Sequence, residues 1–321
     1  GGSGPGSYIY VKPGQTPGNV LIEIKSGKIK GNPTLWSWHI WIVDKYPTVL
    51  DVASQGGDGP KTVQLMSHLL GAYERVQSQY SADAYREFGM QYQWGRKDPF
   101  PAHDVRVNKN FYDGSGKLFD FLWEQRGNDV DYGKTDAQQA RGAALTMKQS
   151  IEHPNAIVSH QSFWLYECFP HGFVSYFKDR WVFLYPWNQP SRTGNPEDVG
   201  GKTVFDPSPY GFRIMSQKEA VTLRYAYYYA SRSGLNTPLP GSIYDGSFTD
   251  GKSGGNEVIF AVAQARSDTH AGRYLLNSTG GPAGWAPTSN TSAVYRRCMT
   301  YSVRPVIDPD VQEDYKKYLP E

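Results

Sequence analysis

Leu35-Trp36-Ser37-Trp38-His39-Ile40-Trp41-Ile42-Val43 places Trp36, Trp38, Ile40 and Ile42 at every second position. Successive side chains of a strand point to opposite faces, so these four share one face and the stretch reads as a β-strand. Upstream, Val20-Leu21-Ile22-Glu23-Ile24-Lys25 has the same period and reads as a second strand. Working outward, residues 61–66, 157–166, 181–187, 258–263, 273–277 and 302–306 carry further strand patterns. Residues 44–60 and 188–202 read as turn-rich loops, bounded by Gly, Pro and Asn.

Two stretches carry helical spacing instead. Ala137, Ala140, Ala144, Met147 and Ile151 fall on one stripe, and His153-Pro154 ends it, predicting a helix near 136–151. Ser216 and Glu219 fit a Ser-x-x-Glu capping box before Ala220-Val221-Thr222-Leu223, predicting a second helix over 216–230. Two main helices among short strands and long loops, with neither an internal repeat nor an interior linker, give a single α+β domain over 20–308. Residues 1–19 read as a linker or a remnant of expression engineering, and 309–321 as a polar tail.

The 321 residues include 33 Lys+Arg against 31 Asp+Glu, a net charge of +2. That balance gives no electrostatic footprint for nucleic acid or an anionic membrane. There is no run of about 18 apolar residues to form a transmembrane helix. Aromatic residues are abundant, with 23 Tyr, 9 Trp and 14 Phe against 5 Met. An apolar body with a polar tip suits Tyr and Trp to half-exposed sheets and contact surfaces.

The motifs that would carry chemistry are weak. There is no Gly-x-Ser-x-Gly elbow, and Cys168 three residues before His171 is a spacing that an inert or bridged cysteine satisfies equally. Gly56-Gly57-Asp58-Gly59-Pro60-Lys61-Thr62 misses the phosphate-loop spacing, and Pro60 removes a backbone donor. The seven histidines form no zinc motif. Asp245, Asp250 and Glu257, with Ser247 and Thr249 between them, form the richest oxygen cluster and are candidates for calcium; a solvated turn is the competing reading. No other cofactor is expected. Trp187 beside Asn188, and Trp285 with Asn290 downstream, sit in loop-like sequence and are the candidate ligand-binding residues. The competing reading is that each Trp pins its own loop to the core.

Three strings point to a family. They are Gly89-Met90-Gln91-Tyr92-Gln93-Trp94-Gly95-Arg96-Lys97-Asp98-Pro99-Phe100, Phe205-Asp206-Pro207-Ser208-Pro209-Tyr210-Gly211-Phe212-Arg213 and Ser302-Val303-Arg304-Pro305-Val306. Together with Trp36 to Trp41 they resemble the Fibrobacter succinogenes major paralogous domain and the C-terminal domains of fimbrillin-like accessory proteins of Bacteroidetes. The resemblance spans roughly 19–308 and implies a C-type-lectin-like fold. The chain departs from the pattern at Ser67-His68, where the family has Asp-Arg, and at Ser208, where it has Cys. Read without the family, Asp206 to Gly211 is a double turn that stops one strand and aims a helix, and Arg96-Lys97-Asp98 holds a buried or partly buried ion pair.

The resemblance implies a non-catalytic surface domain of a fimbrial tip or accessory protein, exported to the cell surface and bound to other fimbrial subunits. It would adhere to a host or bacterial ligand, glycan or protein. A structural cap without ligand is the alternative, and a glycan-acting hydrolase using a carboxylate pair is a third reading. Export through an oxidising compartment makes Cys168 and Cys298 a candidate disulfide.

Overall fold

The computed structural model describes residues 8–28, 32–53, 62–74, 86–87, 89–101, 103–104, 110–111, 147–152, 154, 186–190, 199–220, 222–223, 242–244, 247–249, 257–265, 271–277 and 300–311. Alternating β-branched and aromatic residues make β1 (Gly18–Lys25) and β2 (Thr34–Ile42), which pair antiparallel as a two-stranded ribbon. Its cross-strand pairs Val20–Ile40, Ile22–Trp38 and Ile24–Trp36 stack aliphatic on aromatic or aliphatic side chains along one face.

The body is built from two further sheets. β3 (Val49–Ala53) and β4 (Thr62–Met66) form a hairpin, and β5 (Met90–Gln93) pairs with β6 (Phe100–Pro101). β7 (His103–Asp104) and β8 (Asn110–Phe111) form a small pair, followed by α1 (Met147–Glu152). β9 (Asn188–Pro190) pairs with β10 (Val199–Lys202), and β11 (Phe212–Arg213) follows. β12 (Ser242–Tyr244) and β13 (Ser247–Thr249) make another hairpin. β14 (Glu257–Ala265), β15 (Ala271–Asn277), β16 (Thr300–Ser302) and β17 (Val306–Ile307) complete the described strands.

The four-stranded sheet has the order β11-β17-β4-β3 and the five-stranded sheet β15-β14-β16-β5-β6. Residues 300–307 enter both: β16 lies between β14 and β5, and β17 between β11 and β4. Between them the Val303 carbonyl accepts from Leu70 N–H at 2.9 Å and the Pro305 carbonyl from Met66 N–H at 2.9 Å. The buried cluster beneath joins Val52, Val63, Leu65 and Leu69 to Met215, Leu223, Val262 and Val306, so both sheets share one core.

Two helices do not organise this fold. Among the described residues helix is confined to two short segments, α1 and the turn at 217–220 and 222–223, and the rest of the regular structure is strand. The α+β expectation with two main helices is therefore corrected to a mostly β architecture, and the C-type-lectin-like arrangement built on those helices goes with it. The helix predicted over 136–151 is seen only from Met147 to Glu152, its earlier part lying outside the described residues, as does 224–230 of the second. The capping box itself forms as read: Glu219 N–H donates to Ser216 Oγ at 3.1 Å and Ser216 N–H to Glu219 Oε2 at 2.7 Å.

Two stretches read as loops contain strands. Val49–Ala53 is β3, and 188–202 is bounded by the β9–β10 pair. The predicted strand at 157–166 and residues 181–185 of the one predicted at 181–187 lie outside the described residues, and 186–187 form a bend that leads into β9.

Candidate functional site

The ribbon sits on the body with the polar residues Asn19, Ser37 and His39 inward and Trp41 beside them, packed against the Met66, Phe212 and Ile307 cluster. Asn19 of β1 and Ser37, His39 and Trp41 of β2 carry its contacts to residues 71–73 and 92–98. Leu35, at the end of the other row, is exposed, and the even-numbered row is partly exposed: Val20 is 47% exposed, Ile24 40% and Trp38 36%, with Ile22, Ile40 and Ile42 half-buried. Trp36, at the end of that row, lies over Lys97, whose Nζ is 4.6 Å from the ring, and its ring meets Phe205. Ahead of the ribbon, Tyr8 and Tyr10 are exposed with ring centroids 6.1 Å apart, and Val11 is exposed as well.

His39 is the centre of the polar seam. Tyr92 OH lies 2.9 Å from Nδ1, and Asn19 Oδ1 lies 2.8 Å from Nε2. Asn19 Nδ2 donates to the Gly71 carbonyl at 2.8 Å and to Tyr73 OH at 3.2 Å, which fixes its oxygen toward the imidazole. Nε2 must then carry the proton and Nδ1 accept from the phenol. Desolvation pulls the His39 pKa down from 6.5 to about 4, so the ring is neutral at pH 7. Burial, and then the carboxylates of Asp98 and Asp206, push Tyr92 well above the ordinary tyrosine range.

Beside it lies a charged knot. Lys97 Nζ donates to Asp98 Oδ1 at 2.8 Å, to the Ser37 carbonyl at 2.9 Å and to Ser37 Oγ, while Ser37 Oγ donates to Asp98 Oδ1 at 2.6 Å. All three residues are buried, as the sequence reading of this ion pair expects. Burial lowers the Lys97 pKa and Asp98 pulls it back up. A serine beside a lysine invites a nucleophile–base reading. The bonding opposes it: the ammonium is committed to three acceptors and the serine proton to a carboxylate, leaving no free amine to take that proton.

The second motif string behaves as a scaffold. Asp206 Oδ1 accepts from Ser208 N–H and Oδ2 from Ile214 N–H, both at 2.8 Å, which fixes the double turn. Arg213 then grips Glu219 through two bonds of 2.9 and 2.8 Å and ties β11 to the helical turn. Burial raises the Glu219 carboxyl, but Arg213 and the Ser216 cap outweigh it and hold the group below its usual value.

Of the residues expected to bind ligand, Trp187 and Asn188 lie among the described residues. Trp187 is fully buried, its Nε1 donating to the Arg96 carbonyl at 2.9 Å and its ring 6.3 Å from that of Trp94. It pins its own segment, and no ligand can stack on it. Asn188 is buried in β9 with Nδ2 donating to the Ile214 carbonyl at 3.2 Å. Trp285, Asn290, Asp245, Asp250, Cys168 and Cys298 lie outside the described residues, and Glu257 is placed only as the first residue of β14.

Sequence reasoning missed the His39–Tyr92–Asn19 seam. Its signal was a polar residue set among tryptophans in an alternating strand. Among the described residues no group of three or more His, Cys, Asp or Glu is placed to hold a metal, and no helix is long and apolar enough to cross a membrane. None of the family models, curated proteins or solved structures compared with the chain matches it.

Proposed function

We propose that this chain is a non-catalytic surface domain of a fimbrial tip or accessory protein that adheres to a host or bacterial ligand, glycan or protein. The observation that carries the reading is the outward face of the ribbon. Trp38 stands between Val20 and Ile24 in a partly exposed row, and Tyr10, 87% exposed, lies just ahead of β1. A folded chain gains nothing for its own core by holding these residues outside, while aromatic rings are the commonest anchors of a contact. The motif strings supply the fimbrial context and with it the cell-surface location and the companion subunits. Among the described residues the contact is assigned to Trp38 and Tyr10 in place of the buried Trp187.

A glycan array and a cell-adhesion assay test the reading. Trp38→Ala and Tyr10→Ala are expected to weaken binding at least about tenfold each while changing stability by less than about 1 kcal/mol. If neither assay shows binding, the adhesin reading fails. The aliphatic neighbours of Trp38 favour one second reading, in which the same face is covered by an adjoining subunit and the domain is a cap. Co-purification with such a subunit, lost on Val20→Lys, would support it.

A further inference from the structure

We propose that the β1–β2 ribbon is an acid-releasable arm, latched to the body through the polar seam and let go when His39 takes up a proton. Three observations carry this, independently of the adhesive role. First, no described strand outside the ribbon pairs with β1 or β2, so main-chain hydrogen bonding to another described strand does not hold it. Second, the inward contacts of Asn19, Ser37 and His39 are hydrogen bonds between polar groups, Trp41 adds an apolar contact to the Met66, Phe212 and Ile307 cluster, and Val20, Ile24 and Trp38 stay exposed on the other face. Hydrogen bonds that water can replace hold an element more weakly than buried apolar area does. Third, His39 sits midway along the seam, with both ring nitrogens committed.

Protonation turns Nδ1 from acceptor into donor, so the phenol must turn its hydrogen away to accept, and a positive charge is left in a desolvated seam. The new charge would face Tyr92 of β5, Asn19 of β1 and, through Asn19, Tyr73. None of these supplies a negative charge. On the Ser37 side the nearest charges are Lys97 and Asp98, already paired with each other, and Arg96, bonded to Gln93 Oε1 and the Pro154 carbonyl. On the other side Trp41 meets the His68 ring, whose Nδ1 is engaged by Ser67 Oγ. On β1 itself Glu23 is bonded to Lys25 and Thr34, and on α1, which packs against β2, Glu152 is paired with Lys148 at 3.6 Å. Among the described residues, the carboxylates that act on Tyr92 are committed elsewhere, Asp98 to Lys97 and Asp206 to the Ser208 and Ile214 N–H groups, so none bonds the imidazolium, whereas in the released arm water solvates it.

The experiment follows the His39 ring by NMR and the ribbon amides by hydrogen exchange on the full chain, with exchange rates corrected for the intrinsic effect of pH. With His39 at about 4 when docked and about 6.5 when released, the open population of the ribbon rises on the order of 30-fold between pH 7.5 and 5. Amides of β14 and β16 are expected to keep their protection over that range. His39→Gln, whose amide can accept from Tyr92 and donate to Asn19 without titrating, abolishes the response, and His68→Gln leaves it intact. Should His39→Gln fail to fold, the wild-type measurement and Tyr92→Phe decide, the latter opening the ribbon at higher pH. The proposal is overturned if the ribbon and β14–β16 lose protection together, if His39→Gln keeps the acid response, or if the docked ring titrates near 6.5.

Discussion

At Gly89 the backbone has φ +64°, and a Cβ there would lie 2.6 Å from the Leu70 carbonyl oxygen. That carbonyl is already drawn in by the neighbouring Met90 N–H at 2.7 Å, so neither chain segment can give way. Gly89→Ala combines a left-handed backbone penalty with a clash of backbone against side chain, and is expected to cost at least about 2 kcal/mol in chemical denaturation. Gly14→Ala, where a Cβ meets nothing nearer than 4.0 Å, is the control and should move stability by less than about 0.5 kcal/mol. Equal effects at the two positions would contradict the geometry. The Arg213–Glu219 pair gives a second residue-level expectation. Glu219→Ala leaves a buried guanidinium without its carboxylate, and a loss of about 3–5 kcal/mol is expected, against a smaller loss for Glu219→Gln. A change below about 1 kcal/mol for the alanine variant would show that the pair contributes little.

Elements differ in how their titrating groups respond to acid. Between pH 6.5 and about 4 the unfolded chain binds a proton on His39 that the folded chain refuses. Stability is therefore full above the unfolded value and falls as pH drops through this window, by no more than about 3 kcal/mol. Glu219 adds a loss below pH 4.5, because its folded carboxyl is held under the unfolded value. Asp206 acts in the opposite sense: burial raises it above 3.8, so its contribution is present below that pH and fades as pH rises through the folded value. Denaturant midpoints at pH 7 and pH 5 are expected to differ in the direction His39 dictates, and an unchanged midpoint would remove His39 from the account. The strands of the ribbon, and β4, β14 and β15, were legible because their alternation is local. β5 was not, since Met90-Gln91-Tyr92-Gln93 looks solvent-facing. Its glutamines are buried because Thr300 and Arg96 bond them, partners that sequence spacing does not reveal. The β9–β10 pair was read as loop because Asn188-Gln189-Pro190 and Val199-Gly200-Gly201-Lys202 have little strand propensity of their own. The capping box and the Asp206 turn were legible because every partner lies within eight residues.

For the whole molecule, the long-range closure made by residues 300–307 places Val303 and Pro305 against residues 66–70, and it is on this same 62–98 region that the ribbon docks. The aromatic content of the sequence suggested half-exposed sheets, but not which tryptophans stay exposed. Trp94 and Trp187 are sealed inside, and Trp38 is turned out, because the ribbon offers its polar row to the body. Both the proposed contact face and the proposed releasable arm depend on that orientation. Hydroxyl-radical footprinting of the native chain at pH 7.5, read by mass spectrometry at individual tryptophans, tests it directly. Trp38 is expected to oxidise about tenfold faster than Trp94 or Trp187, in keeping with its exposed ring against two rings without accessible surface. Protection of Trp38 equal to that of Trp94 would mean that the ribbon buries its apolar row, and would contradict the account.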